Sequence, residues 1–160
     1  MIGCLHREAT VKRASQIRRA AEWNAADESD RVVLDADDRH RRRVVLTGER
    51  GTTFLLDLPQ ATALKDGDGL VLDDGAIVRV VGLPEPLLEV SAANALGFVR
   101  LAWHLGNRHT DAQFVGETIR IRRDHVLEEM VRQLGAHARP IEAPFDPEPG
   151  AQGHEHQHGS

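Results

Sequence analysis

The chain has 160 residues, 41% hydrophobic and 28% charged, and its 25 acidic side chains outweigh 20 basic ones for a net charge of −5. That length allows one domain or two small ones around a real core, and the acidic balance argues against nucleic acid as the default partner. Cys4 is the only cysteine, which excludes an intrachain disulfide framework and points to a reducing compartment. Met1 to Arg7 lacks the apolar core of a signal peptide, and no run approaches the ~20 apolar residues that span a bilayer. The expectation is a cytoplasmic protein without a membrane partner.

Residues 7–24 could form a short helix. From Arg31 to Val81 the texture is short apolar runs broken by turn residues: Arg31-Val32-Val33-Leu34, Arg43-Val44-Val45-Leu46, Thr52-Thr53-Phe54-Leu55-Leu56, Gly69-Leu70-Val71-Leu72 and Ala76-Ile77-Val78-Arg79-Val80-Val81. Lys65-Asp66-Gly67-Asp68-Gly69 and Asp73-Asp74-Gly75 punctuate them, glycine supplying positive φ and aspartate local hydrogen bonds. This half reads as a small all-β domain. The basic cluster Arg39-His40-Arg41-Arg42-Arg43 runs straight into a strand, which favours a solvated edge over a binding patch.

Gly82-Leu83-Pro84-Glu85-Pro86 marks a junction, because prolines interrupt a ladder. Beyond it, Leu87 to Val90 is a strand and Asn94 to Leu105 a helix, with Leu96, Val99, Ala102 and Trp103 near a 3.6-residue period. Gln113 to Gly116 and Thr118 to Arg122 form a hairpin. A second helix follows with Asp124 as N-cap, an apolar face of Val126, Leu127, Met130, Val131 and Leu134, and Gly135 as its stop. Ala138 to Glu142 is a last edge strand. The fold class is therefore α+β: a β-rich domain over 1–83, then a ferredoxin-like βαββαβ domain over 84–143. From Pro144 the Pro-, Gly- and His-rich composition predicts a mobile, disordered tail over 144–160.

Nine histidines make the chain unusual. Neutral imidazole suits Zn, Cu, Fe and Ni, so the enrichment points to a nitrogen-held transition metal. His109 follows the end of the first helix. It is either a helix-terminal histidine satisfied by carbonyls or water, or a ligand, and one imidazole cannot hold a metal tightly alone. A two-fold dimer axis would double it. His125 opens the second helix, where the positive end of the dipole favours neutral imidazole; it is otherwise an incidental surface residue. His104 lies about 140° round the helix from His109 and suits packing or support of a ligand. His6, His40 and His137 have no partner in sequence. His154, His156 and His158 alternate, so an extended chain could point them at one ion. A tag remnant would be an unbroken run, whereas Glu155 and Gln157 interrupt this one.

Three stretches, Trp103-His104-Leu105-Gly106-Asn107-Arg108-His109, Arg123-Asp124-His125-Val126-Leu127-Glu128-Glu129-Met130 and Ala143-Pro144-Phe145-Asp146-Pro147-Glu148-Pro149-Gly150, resemble the urease accessory nickel metallochaperone family, UreE. The resemblance covers roughly residues 28–158 and leaves 1–27 unaligned. It implies a non-enzymatic homodimer, with a peptide-binding-like N-terminal domain and His109 of each subunit meeting at the interface to bind Ni²⁺. It further implies a secondary site at His125 and auxiliary ligands at His154, His156 and His158. Delivery would run through the accessory GTPase to the urease maturation complex, for nickel insertion. Arg123 stands where some relatives carry a second histidine, and three tail histidines are too few for bulk nickel storage.

Other classes remain to be weighed. A general divalent-metal protein would bind Zn²⁺ or Cu²⁺ at the same imidazoles. A hydrolytic metalloenzyme would want a set such as His-Glu-x-x-His on a helix; the run His154-Glu155-His156-Gln157-His158 has that spacing but falls in the Pro-, Gly- and His-rich tail, which has no helical pattern. A nucleic-acid module would use Arg39 to Arg43.

Overall fold

Apolar and polar residues that alternate along a ribbon leave one face to be buried against a partner. In the first half of the chain six strands satisfy that demand. The computed structural model describes residues 10–149. Its first sheet contains β1 (Lys12–Arg18), β2 (Glu28–Leu34), β3 (His40–Thr47), β4 (Thr53–Ala63), β5 (Gly69–Leu72) and β6 (Ile77–Gly82), in the order β2-β6-β5-β1-β4-β3. Ala14, Phe54, Leu56, Leu70, Val78 and Val80 are fully buried at its core.

The short helix expected within 7–24 is replaced, over its described part, by β1 and a single 3-10 turn at Ala20–Glu22, with a second at Ala25–Asp27 just beyond it. The reason lies in tertiary pairing. β1 runs parallel to β4 on one side and antiparallel to β5 on the other, and a ladder on both edges overrides weak local helix propensity. β4 continues past Pro59, which sits where the pairing with β3 jumps from Arg41↔Thr62 to Arg43↔Asp57. A bulge is one of the few places a strand accepts proline.

The basic cluster does not form one surface. Arg39 is buried, its Nε donating to the Leu34 carbonyl (3.2 Å) and its Nη1 to the Leu64 carbonyl (3.0 Å). Arg41 pairs with Asp38 at 2.7 Å. What remains exposed lies on β3, an edge strand, where charge discourages edge-to-edge association.

The chain divides into two compact units: one runs up to Leu34 and resumes over Asp38–Val81, and the other takes Asp35–Asp37 with the described chain from Gly82. The second unit contains β7 (Glu85–Ser91), α1 (Ala95–Asn107), β8 (Gln113–Val115), β9 (Thr118–Arg122), α2 (His125–Gln133) and β10 (His137–Ala143). Its sheet order is β10-β7-β9-β8 with every neighbouring pair antiparallel, the ferredoxin-like arrangement expected from the element order. Leu88, Val90, Leu101, Leu105, Ile119, Ile121 and Val131 build the core between sheet and helices. Pro86 does not stop the ladder but lies inside β7 opposite Glu142, and Pro140 lies in the edge strand β10 opposite Leu88. No helix among the described residues is long and apolar enough to cross a membrane.

Two expectations change in this unit. The predicted α1 stripe points outward: Leu96, Val99 and Trp103 are 59%, 62% and 65% exposed, while Leu101 and Leu105 are buried and Phe98 and Ala102 pack partly against the core. α1 has two apolar faces, and periodicity alone cannot say which meets the sheet. On α2, Val131 is buried but Val126 and Leu134 are exposed. The second change concerns Pro144 onward, expected to be mobile. Phe145 is instead fully buried, the Asp146 N–H donates to Gln113 Oε1 at 3.1 Å, and the Glu148 N–H donates to the Ala112 carbonyl at 2.7 Å.

One buried carboxylate organises the first unit. Asp30 accepts the backbone N–H groups of Arg31 (2.7 Å), Arg50 (2.9 Å) and Thr52 (3.0 Å). Burial by itself would raise its pKa, but these donors outweigh it and bring the value to about 2. Gly48 fits against this carboxylate so closely that an added Cβ would collide with it. Because the folded-state value lies below the unfolded one, the contribution is complete above pH ~4 and is lost as pH falls towards ~2. Asp30→Ala, which leaves three part-buried donors without their carboxylate, should cost about 2–3 kcal/mol in urea unfolding at pH 7, and the gap from wild type should narrow on acidification.

Candidate metal site

α1 begins where Asn94 caps it, its side chain accepting the Gly97 N–H at 2.8 Å. Its other end is a Schellman turn. The His109 N–H donates to the Gly106 carbonyl at 3.1 Å, and the Thr110 N–H reaches back to the Leu105 carbonyl at 3.4 Å. That geometry puts His109 in the left-handed region at φ 52°, and no other non-glycine among the described residues has positive φ. α2 ends in the same way: the Gly135 N–H donates to the Arg132 carbonyl (2.9 Å) and the Ala136 N–H to the Val131 carbonyl (3.1 Å). There the left-handed residue is glycine, φ 76°, as the motif favours. One of two matched helix ends therefore carries an exposed imidazole where glycine would be less strained. Strain held at an exposed polar residue is an observation from which function can be argued.

His125 is the first residue of α2, behind its cap Asp124, whose side chain accepts the Leu127 N–H at 2.9 Å. It is exposed. The neighbourhoods of His109 and His125 share a border: Arg108, Thr110, Asp124, Val126 and Leu127 line one open hollow of about 400 Å³. The residues on either side of each histidine thus face the same space. Sequence reasoning had separated these two histidines by helix, and only the fold brings their neighbours together.

The remaining histidines sort as follows. His104 is half-buried with its ring edge-on to Trp103, centroids 5.0 Å apart, a packing role as read from the sequence. His40 opens β3 and His137 opens β10, both exposed. His154, His156 and His158 lie outside the described residues, as does His6. Among the described residues no three histidine, cysteine or acidic side chains gather as a metal-holding group.

Two residues near the site were missed in the sequence. Arg122 on β9 places its guanidinium over the Phe145 ring, 5.3 Å from the centroid, and pairs with Asp37 (2.7 Å) and Asp111 (3.3 Å). Phe145 carried one usable signal: it is the sole large apolar side chain in an otherwise Pro-rich, polar segment.

The model of the UreE urease accessory protein N-terminal domain matches residues 11–82, and that of the C-terminal domain matches residues 85–160. The urease accessory protein UreE of Rhodopseudomonas palustris (strain HaA2) is 56% identical over 145 residues, covering 91% of this chain and 67% of that protein. Its counterpart from Bradyrhizobium sp. (strain ORS 278) is 55% identical over 148 residues, 92% and 70% of the two chains. That of Beijerinckia indica subsp. indica is 46% identical over 139 residues, 87% and 80%. The family match begins at residue 11 and so includes β1, within the stretch that reading the sequence had left unaligned. With both domain models matched in order and identities above half, the chain belongs to the UreE urease accessory protein family.

Proposed function

We propose that this protein is a non-enzymatic nickel carrier for urease maturation, a homodimer that holds Ni²⁺ between the two copies of His109. The observation that carries the reading is His109 itself, an exposed imidazole kept in a left-handed conformation at a helix end. A single imidazole binds a transition metal weakly, and two-fold symmetry is the simplest way to bring a second. The exposed stripe Leu96, Val99 and Trp103 on the helix that His109 terminates supports a self-association surface, since contiguous exposed apolar side chains mark interfaces.

His125 is the proposed secondary ligand, since its flanking residues border the same hollow as those of His109. His154, His156 and His158 are proposed as auxiliary, exchangeable ligands. Zn²⁺ and Cu²⁺ would compete at such nitrogen sites, Cu²⁺ most strongly, so selectivity would rest on metal supply and docking to partners. Those partners are the accessory GTPase and the urease maturation complex, in the cytoplasm. These 160 residues carry no Gly-x-x-x-x-Gly-Lys-Ser/Thr loop of their own, which fits a nucleotide-driven step supplied by a partner.

Replacing His109 by glycine separates the two roles the position could have. His109→Gly relieves the left-handed backbone and should leave unfolding stability unchanged or raised by about 1 kcal/mol. Equilibrium dialysis should show the tightest nickel class gone; nickel affinity equal to wild type would overturn the assignment. Trp103→Glu should give monomer in sedimentation and lose tight nickel binding although His109 is intact. A dimer of wild-type nickel affinity would take the stripe out of the interface.

A further inference from the structure

We propose that Arg18, Arg79 and Trp23 on the first unit's sheet form a docking site for an acidic segment of a partner protein, whose carboxylates pair with the two arginines. The site lies within the first unit and stands independently of the nickel-carrier reading.

The strand register brings the two arginines together. Arg18 on β1 lies opposite Gly69 on β5, and Gly69 lies opposite Arg79 on β6. Residues directly opposite in a ladder project to the same face, and neighbouring strands are ~4.8 Å apart. The two arginines therefore flank Gly69 on one face, their Cα atoms about 10 Å apart. Trp23 occupies the space above the glycine. A Cβ added at Gly69 would come within 2.9 Å of Trp23 Cε2 and 2.8 Å of Ile77 Cγ2, so the indole can lie there only over glycine. The Trp23 Nε1–H donates to the Gly67 carbonyl at 3.1 Å, which fixes a half-buried ring between two cations.

Charge decides what this face takes. Other arginines of the unit have anionic partners: Arg13 pairs with Asp57, Arg19 with Asp68 and Arg31 with Glu28. The side chains of Arg18 and Arg79 make no hydrogen bond or ion pair among the described residues. Arg18 is exposed, whereas Arg79 is partly buried and its Nε has neither water access nor an acceptor. No other buried side-chain nitrogen or oxygen among the described residues lacks a partner. Such a desolvated donor is costly, and a like charge in the same ladder row adds repulsion. A carboxylate removes the repulsion and accepts two parallel hydrogen bonds from a guanidinium. β5 is paired on both edges, so the face has no nest of free N–H groups of the kind that holds phosphate. Tryptophan and arginine are the side chains that dominate protein–protein contacts, and a net charge of −5 disfavours nucleic acid. An acidic protein segment is the occupant that fits.

The test is an NMR titration of the full chain with an acetylated, amidated tetraglutamate peptide. The Trp23 indole and Arg79 Nε–H signals should shift saturably with a Kd of about 1 mM or tighter, while the Trp103 indole stays in place. The same peptide with glutamine for glutamate should shift neither. Arg18→Gln and Arg79→Gln should each weaken binding about fivefold or more. Arg42→Gln removes the same charge from the exposed edge strand β3 and should change Kd by less than about twofold. Arg18 is exposed, so its variant keeps the comparison readable if Arg79→Gln fails to fold. Absence of a saturable shift, or an equal loss in Arg42→Gln, overturns the site. Inorganic phosphate or a short single-stranded DNA that binds as tightly as the acidic peptide overturns the assignment of its occupant.

Discussion

The turn that ends α1 is the constraint on which the site depends. A Schellman turn needs one left-handed residue, and glycine fills that place at the end of α2. At the end of α1 the place is taken by His109, at a conformational cost of roughly 1–2 kcal/mol. In return the backbone that carries the imidazole is held by the His109 and Thr110 N–H groups, which donate to the last turn of a helix whose other end is capped. A ligand held on a rigid element loses little entropy on binding, which is the general reason for building sites on helix ends and strands rather than on free loops. The rest of the second unit follows from that placement. Its sheet buries one face of α1, and its hollow joins the surroundings of His109 to those of His125.

α1 faces two ways, and each face has a different consequence. Leu101 and Leu105 close the core of the unit, which fixes the direction in which the helix delivers His109. Leu96, Val99 and Trp103 look outward, and water is a poor neighbour for three large apolar side chains in a row. A symmetric partner that covers this stripe also brings a second copy of the helix end within reach. In the proposed carrier, dimerisation and metal binding are one design rather than two, because the element proposed to supply the ligand also offers the contact.

Much of this was legible in the residues. The strands between Arg31 and Val81, the start of α1 near Asn94, the cap Asp124, the stop at Gly135 and the βαββαβ order all follow from local patterns, because turn chemistry and capping are short-range. Long-range effects were not legible. β1 looked helical because its pairing with β4 lies some forty residues away along the chain. The outward stripe of α1 was indistinguishable from a buried one because both have helical spacing. Arg39 read as part of a charge run but is folded inward onto two carbonyls. Phe145 was lost in a composition that predicts disorder, yet its ring is buried and the Asp146 and Glu148 N–H groups donate to the Gln113 side chain and the Ala112 carbonyl. At the site, His109 was legible as a candidate from its motif, but its left-handed backbone and the hollow that its neighbours Arg108 and Thr110 line are properties of the fold.

The central claim is one of symmetry: tight nickel binding requires His109 from both subunits at once. Mixed dimers of wild-type and His109→Ala subunits, isolated with two different affinity tags, test it directly by counting tight nickel ions per dimer. If the two imidazoles share one ion, the mixed dimer has no tight site and behaves like the doubly substituted one. A mixed dimer that retains half of the wild-type tight binding would show that each subunit binds metal alone, and would contradict the account.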